Sequence, residues 1–238
     1  MSYKQIVYDY YRSSFKGDTS KSSLQFGAGK IRPVLEPWVK RLDKSLPVAD
    51  LGCGAGELLM ALRSLGFTNL SGCDLSAEQV NIAKQEFPAV QEANLFHYLS
   101  SKEDDFFVLI TLFDVVEHLT RQETFDLMKL IRQKLRPGGI LVIHMPNGIS
   151  PFVGHVFWGD ITHEWCMTPQ SAATLCSLHG LTEFEAKEHL GAGVGIKGQA
   201  RKLAWYFIRS CFRLINAIET GRKGTRIWTR NFAFKAKK

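Results

Sequence analysis

The stretch that most limits this chain is VADLGCGAGELL, Val48 to Leu59. An apolar run ends in glycines spaced G-x-G-x-G and passes into leucines at helical spacing. This reads as a buried strand, a tight turn and a helix. A strand that is apolar on both faces needs cover on both faces. Strand–turn–helix units provide that cover by repeating as a parallel sheet with crossover helices.

The rest of the sequence supplies the repeats. LSGCDLS, VQEAN, FFVLITLF, ILVIHMP and LTEFEAKEH read as strands two to six. GELLMALRSLG reads as a helix stopped at Gly66. SAEQVNIAKQEF starts at a Ser76 cap, with Gln79 at capping-box spacing. RQETFDLMKLIRQKL is amphipathic and ends at RPGG, and TPQSAATLCSLHG stops at Gly180. Ahead of the first strand, a helix is predicted from about Gly29 to Leu42, with Pro33 in its first turn. The residues before it read as helical and polar, broken by KGDTSKSS, Lys16 to Ser23. The alternation predicts right-handed crossovers and ligands held beyond the carboxyl ends of the strands.

At 238 residues the chain suits one α/β domain with additions. No run approaches the roughly 20 apolar residues of a membrane span, and the N-terminus lacks the apolar centre of a signal peptide. A cytoplasmic protein is expected. Five cysteines, an odd number without a C-x-x-C pair, argue against a disulfide framework or a zinc site. The net charge of +7 is uneven. Arg222, Lys223, Arg226, Arg230, Lys235, Lys237 and Lys238 follow Glu219 with no further acid. The body is therefore near neutral, which disfavours nucleic acid as a partner.

The glycines limit the ligand. Gly52, Gly54 and Gly56 do not make G-x-G-x-x-G, because Glu57 stands where that pattern needs its third glycine. No G-K-[ST] follows, so a phosphate-binding loop fails too. Asp50 just before the glycines would repel phosphate and suits a ligand with positive charge. Asp74, eighteen residues after Gly56, can accept hydrogen bonds from two ribose hydroxyls. Together they describe a nucleoside without a pyrophosphate and with a cation nearby.

These segments resemble the class I S-adenosylmethionine-dependent methyltransferases. VADLGCGAGELL is similar to their first motif, CDLS to their ribose-binding acid, FDVVEHL to the segment after strand four, and LRPGGILVIHMPN to the lead into strand five. The resemblance spans roughly Leu42 to His189. It implies an α/β fold: a doubly wound, Rossmann-like, seven-stranded sheet, mostly parallel, with an antiparallel last strand and helices on both faces. TRIWTRNFAFKAKK would be that last strand. The resemblance also implies S-adenosylmethionine as cofactor. The loop of Gly52, Gly54 and Gly56 would pass under its methionine part, with Asp50 near the amino group. Asp74 would take the ribose, Leu75 would pack on the adenine, and Asn94 would meet the adenine amine. Backbone near Phe113 would approach the methionine part.

Three parts are expected. Residues 1–45 form a helical cap, 46–190 the cofactor-binding core, and 191–238 a glycine hinge, an amphipathic helix and a basic strand that completes the same domain.

An acceptor hydroxyl needs a general base, and histidine suits neutral pH. Of seven histidines, His118 in VVEHL and His163 in GDITHEW are the catalytic candidates. His144 reads as a core or rim residue, and His189 as structural or exposed. Asp114, Glu117, His118 and His163 have metal-ligating chemistry, but their spacing is not diagnostic, and no metal is predicted. The segment GDITHEWCMTPQSAATLCSLHGL is similar to segments of family members associated with bacterial cell-surface glycan synthesis. It implies a sugar or other small-molecule hydroxyl as acceptor. The rivals are an RNA or quinone-type O-methyltransferase and a cofactor-binding partner subunit without catalysis.

ARKLAWYFIRSCFRLINAIETG reads as an almost wholly apolar helix with one polar stripe: Lys202, Tyr206, Arg209, Arg213 and Asn216. Either the helix is buried against the domain or a second copy, or residues 200–238 make peripheral contact with an anionic membrane at its cytoplasmic face.

Overall fold

The computed structural model describes residues 20–190 and 195–238. The helical reading of the first nineteen residues, and Gly191 to Val194 of the expected hinge, lie outside these.

The elements run α1 (Lys21–Val39), β1 (Val48–Leu51), α2 (Glu57–Ser64), β2 (Leu70–Asp74), α3 (Ala77–Lys84), β3 (Val90–Glu92) and α4 (Leu95–Ser100). Then follow β4 (Phe107–Phe113), a 3-10 turn (Val116–His118), α5 (Arg121–Lys134), β5 (Leu135–Pro146), α6 (Val153–Phe157), α7 (Pro169–Leu178), β6 (Thr182–Glu188), α8 (Ile196–Thr220) and β7 (Asn231–Lys237). The strands form one seven-stranded sheet in the order β3-β2-β1-β4-β5-β7-β6. β1 to β5 pair in parallel, and β7 lies antiparallel between β5 and β6. The doubly wound architecture expected from the alternation is therefore present.

Each sheet face has its own core. On one, Leu35, Trp38, Leu59 and Leu62 of α1 and α2 pack with Val48, Leu109 and Val142. On the other, Tyr98, Leu127, Ile131 and Leu175 of α4, α5 and α7 pack with Leu51, Ile110 and Ile143. β1 and β4 are buried on both sides almost throughout, which explains their unbroken apolar sequence.

Several boundaries differ from expectation. α1 starts at Lys21, because the Ser20 hydroxyl caps it by accepting from Ser23 N. The described part of the polar stretch that read as a break, Ser20 to Ser23, thus caps and opens the helix, and both Pro33 and Pro37 lie inside it. α5 stops before RPGG, as expected, but those residues already belong to β5. Gly138, at φ 79°, and an irregular register between Phe107 and Leu109 admit them. The last strand is shorter than expected: residues 221–230 are turn and loop, and pairing begins at Asn231. The short helices α4 and α6 carry too few turns to show a period.

α8 differs most. Only the later part of its polar stripe turns inward: Arg209, Arg213 and Asn216 are partly buried while Lys202 and Tyr206 stay exposed. Arg209 Nη1 bonds Glu188 Oε2 at 3.0 Å, and Trp205 Nε1 donates to the same oxygen at 3.1 Å. The apolar side faces out, and Gly198 is the one buried residue of the helix. The reading of a helix buried against its own domain is corrected: Glu188 draws Arg209 and Trp205 inward and leaves the apolar side exposed. Among the described residues, no helix is long and apolar enough to cross a membrane.

Candidate functional site

The carboxyl edge of the sheet carries the site. β1 passes into the glycine loop with Gly52, Gly54 and Gly56 at φ 75°, 49° and 94°. These left-handed values favour glycine. At Gly52 a Cβ would also stand 2.4 Å from Val115 Cγ2. The loop leans on β2, where Cys73 O accepts from Gly52 N at 2.8 Å and from Cys53 N at 3.0 Å.

Asp74, at the end of β2, ties this loop to the next turn. Its Oδ2 accepts from Gly54 N at 2.9 Å and its Oδ1 from Ser76 N at 2.8 Å. A carboxylate has about four acceptor positions, so two backbone bonds leave room for two hydroxyls. Half-exposed Leu75 follows directly. Ser76 caps α3 by accepting from Gln79 N, as its spacing predicted.

Asp50 is 2% exposed, between Gly72 and Thr111 in register. Its Oδ1 accepts from Thr111 Oγ1 at 2.7 Å. Burial raises its pKa to about 7, the Thr111 hydrogen bond works against this, and the Asp74 charge adds to it. No cationic side chain among the described residues pairs with it. Such a buried acid fits a cationic ligand. With the glycine cradle and the acceptors on Asp74, these residues fit S-adenosylmethionine.

Two expected contacts look different in three dimensions. Asn94 is the N-cap of α4, and its Oδ1 accepts from Phe96 N at 2.9 Å. That oxygen is already engaged by the helix it starts. Phe113 ends β4 and stacks on His144, with ring centroids 5.1 Å apart.

The structure brings the two candidate bases together. His118 ends the 3-10 turn and His163 lies between α6 and α7, with ring centroids 4.6 Å apart. Thr162 Oγ1 donates to Asp160 Oδ1 at 2.6 Å and lies 2.7 Å from His118 Nδ1. The threonine proton is committed to Asp160, so His118 Nδ1 must be the donor, and Nε2 is the basic nitrogen. His163 Nδ1 donates to Phe157 O at 2.9 Å, which fixes the same tautomer. Beside them Glu117 is 1% exposed, and its Oε2 has no hydrogen-bond partner among the described residues. Burial, and then the Asp114 charge, push this carboxyl well above the usual range. Glu117, His118 and His163 each bring one polar atom to within 4.8 Å of the others. Three of the four residues with metal-ligating chemistry thus converge.

The fourth, Asp114, turns elsewhere and builds a feature that sequence reasoning missed. At φ 55° it directs Oδ1 to His144 Nδ1 at 2.9 Å. His144 Nε2 lies 2.7 Å from His189 Nδ1. The chain Asp114–His144–His189 crosses the ends of β4, β5 and β6. Crowding by surrounding protein works to raise the Asp114 carboxyl. The charge and hydrogen bond of His144, joined by His189 and His118, together outweigh this and hold it below the ordinary carboxylate range. Burial first, and then His144, lower His189 to about 4. His144 is buried, in line with the core reading, and His189 is half-buried, in line with the structural one; the chain that joins them was not expected. The available signal was one polar residue within the apolar run ILVIHMP.

Comparison with known proteins follows this geometry. The family model described as a methyltransferase domain matches residues 24–188, more than half of the chain. A mitochondrial ubiquinone biosynthesis O-methyltransferase of Candida albicans is 34% identical over 113 residues, 44% of this chain and 34% of that protein. A trans-aconitate 2-methyltransferase of Rhodopseudomonas palustris is 32% identical over 129 residues, 52% of this chain and 47% of that protein. The crystal structure of a SAM-dependent methyltransferase from Archaeoglobus fulgidus superposes with a TM-score of 0.69 at 20% identity. It covers 97% of this chain and 99% of that one. The chain spans about half or less of the length of these curated relatives. It belongs to the class I S-adenosylmethionine-dependent methyltransferase family, whose cofactor is S-adenosylmethionine.

Proposed function

We propose that the chain methylates a hydroxyl of a small molecule, a sugar being the foremost candidate, with His118 as general base and His163 beside it. The observation that carries this reading is the chain from His118 Nδ1 through Thr162 to Asp160. It fixes the tautomer, which makes Nε2 the basic nitrogen, and places a carboxylate to stabilise the imidazolium that forms when a hydroxyl proton is taken. When bound, S-adenosylmethionine supplies an electrophilic methyl group. Asp50, Gly52, Gly54, Gly56 and Asp74 would hold it, with Leu75, Asn94 and Phe113 along its rim. The protein's part is then alignment and proton removal, and alignment can provide much of the acceleration. Residues 46–190 carry this site, between the cap of 1–45 and the completing segment of 191–238.

A quinone-type phenol is the second acceptor class, favoured by the likeness to the Candida ubiquinone biosynthesis O-methyltransferase. The test is methyl transfer from labelled cofactor to a panel of glycans, phenols and carboxylic acids. For the acceptor that turns over, His118→Ala should lower kcat by about 100-fold or more and leave cofactor affinity unchanged. A wild-type rate removes His118 as base. Transfer to carboxylates alone removes the hydroxyl reading.

A further inference from the structure

We propose that α8 is a docking face for an anionic phospholipid bilayer, with its outward apolar stripe inserted among the lipids. Ile196, Leu203, Phe207, Leu214 and Ile218 recur at intervals of seven and four and line one side of the helix. All five are between 63% and 90% exposed. Their outward orientation is fixed from behind. Glu188 holds Trp205 and Arg209, while the Phe212 ring lies 5.9 Å from Phe152 and 5.4 Å from Trp228. The helix cannot roll its apolar side inward without breaking these contacts. A monomer thus presents a continuous apolar strip to solvent, of the kind that marks a docking face.

Charge selects the occupant. Lys197, Arg201 and Lys202 are exposed along the first half of α8, and Arg222, Arg226 and Arg230 just beyond its end. None of the six makes an ion pair among the described residues. The one acid on the helix is Glu219. A second copy seated symmetrically on the strip would set these cations against their own counterparts. Anionic headgroups would neutralise them while the acyl chains cover the apolar stripe. One polar face and one apolar face suit a helix lying in the plane of the interface rather than crossing it, as does its insufficient apolar length for a span. The loop that carries Phe152 against α8 also exposes Trp158 and Ile161, and tryptophan favours the headgroup level. Phe157, at the end of α6 between Phe152 and Trp158, stacks on His163 at 5.5 Å. A bilayer on α8 would therefore lie one short helix away from the acceptor side.

Sedimentation of the full chain with vesicles tests this. Vesicles of equal parts phosphatidylglycerol and phosphatidylcholine should capture at least about tenfold more protein than phosphatidylcholine alone, and about 0.5 M salt should reduce that capture. The double variant Phe207→Glu, Leu214→Glu should lower binding by a further tenfold or more. Its melting temperature and cofactor affinity should stay unchanged, since both side chains point outward. Arg222→Glu with Arg226→Glu should remove the preference for phosphatidylglycerol. Absence of vesicle binding, or binding untouched by the double variant, would overturn the proposal. So would a concentration-dependent dimer in ultracentrifugation that the double variant abolishes, because the second copy is then the occupant. Vesicle binding is read without turnover, so a failure of the methyl-transfer reading would leave this result standing.

Discussion

Replacing Asp50 by asparagine isolates a single buried charge. The carboxyl accepts one hydroxyl hydrogen bond and sits with a pKa of about 7, against 3.8 for the unperturbed group. Between those values the unfolded chain is ionised at this position and the folded chain holds the proton. A group raised in this way stabilises the fold fully below the lower value, and the contribution is lost as pH rises to the upper one. The loss runs at about 1.4 kcal/mol per pH unit. Wild type and Asp50→Asn, compared by chemical denaturation from about pH 4.5 to 8, should therefore diverge. The gap should move in favour of the variant by about 1.4 kcal/mol per unit until roughly pH 7 and then flatten. His189 titrates in the opposite sense over part of this window, but it is common to both proteins and cancels. The same carboxyl gives a ligand readout. A cationic amino group beside it favours ionisation, so cofactor binding at pH 7 should release about half a proton from this site. Calorimetry in buffers of different ionisation enthalpy measures that release, and the variant should lack it. A gap independent of pH would refute the uncompensated buried acid. Proton-neutral binding would refute a cation at Asp50.

Asp74→Ala removes the acceptor of the Gly54 and Ser76 amides and the proposed ribose partner, so cofactor affinity should fall by about 1–3 kcal/mol in a calorimetric titration; unchanged affinity would remove the ribose assignment. Gly52→Ala forces a side chain into a left-handed backbone and onto Val115, and should cost at least about 2 kcal/mol by denaturant melting. His189 is held neutral by a lowered pKa, so its contribution is present above pH 6.5 and is lost as pH falls toward about 4; melting curves of His189→Gln over that range should lose this part of the acid sensitivity.

The glycine loop and its two acids were legible because each answers a local need. Positive φ calls for glycine, and an acid at a strand end faces whatever the loop holds. The sheet order beyond β4 was legible only through resemblance, since period-two alternation cannot distinguish a parallel partner from an antiparallel one. The Asp114–His144–His189 chain was not legible, because it joins three strand ends far apart in sequence. α8 carried its two faces openly, yet their direction was decided by Glu188, on another element, which no helical periodicity can reveal.

Calorimetric titration of the purified protein with S-adenosylmethionine, with NAD as control, tests the central assignment most directly. Micromolar binding of S-adenosylmethionine alone, with proton release at pH 7, is the expected result. Binding of NAD, or of neither, would contradict the reading of Asp50, the three glycines and Asp74 as one cofactor site.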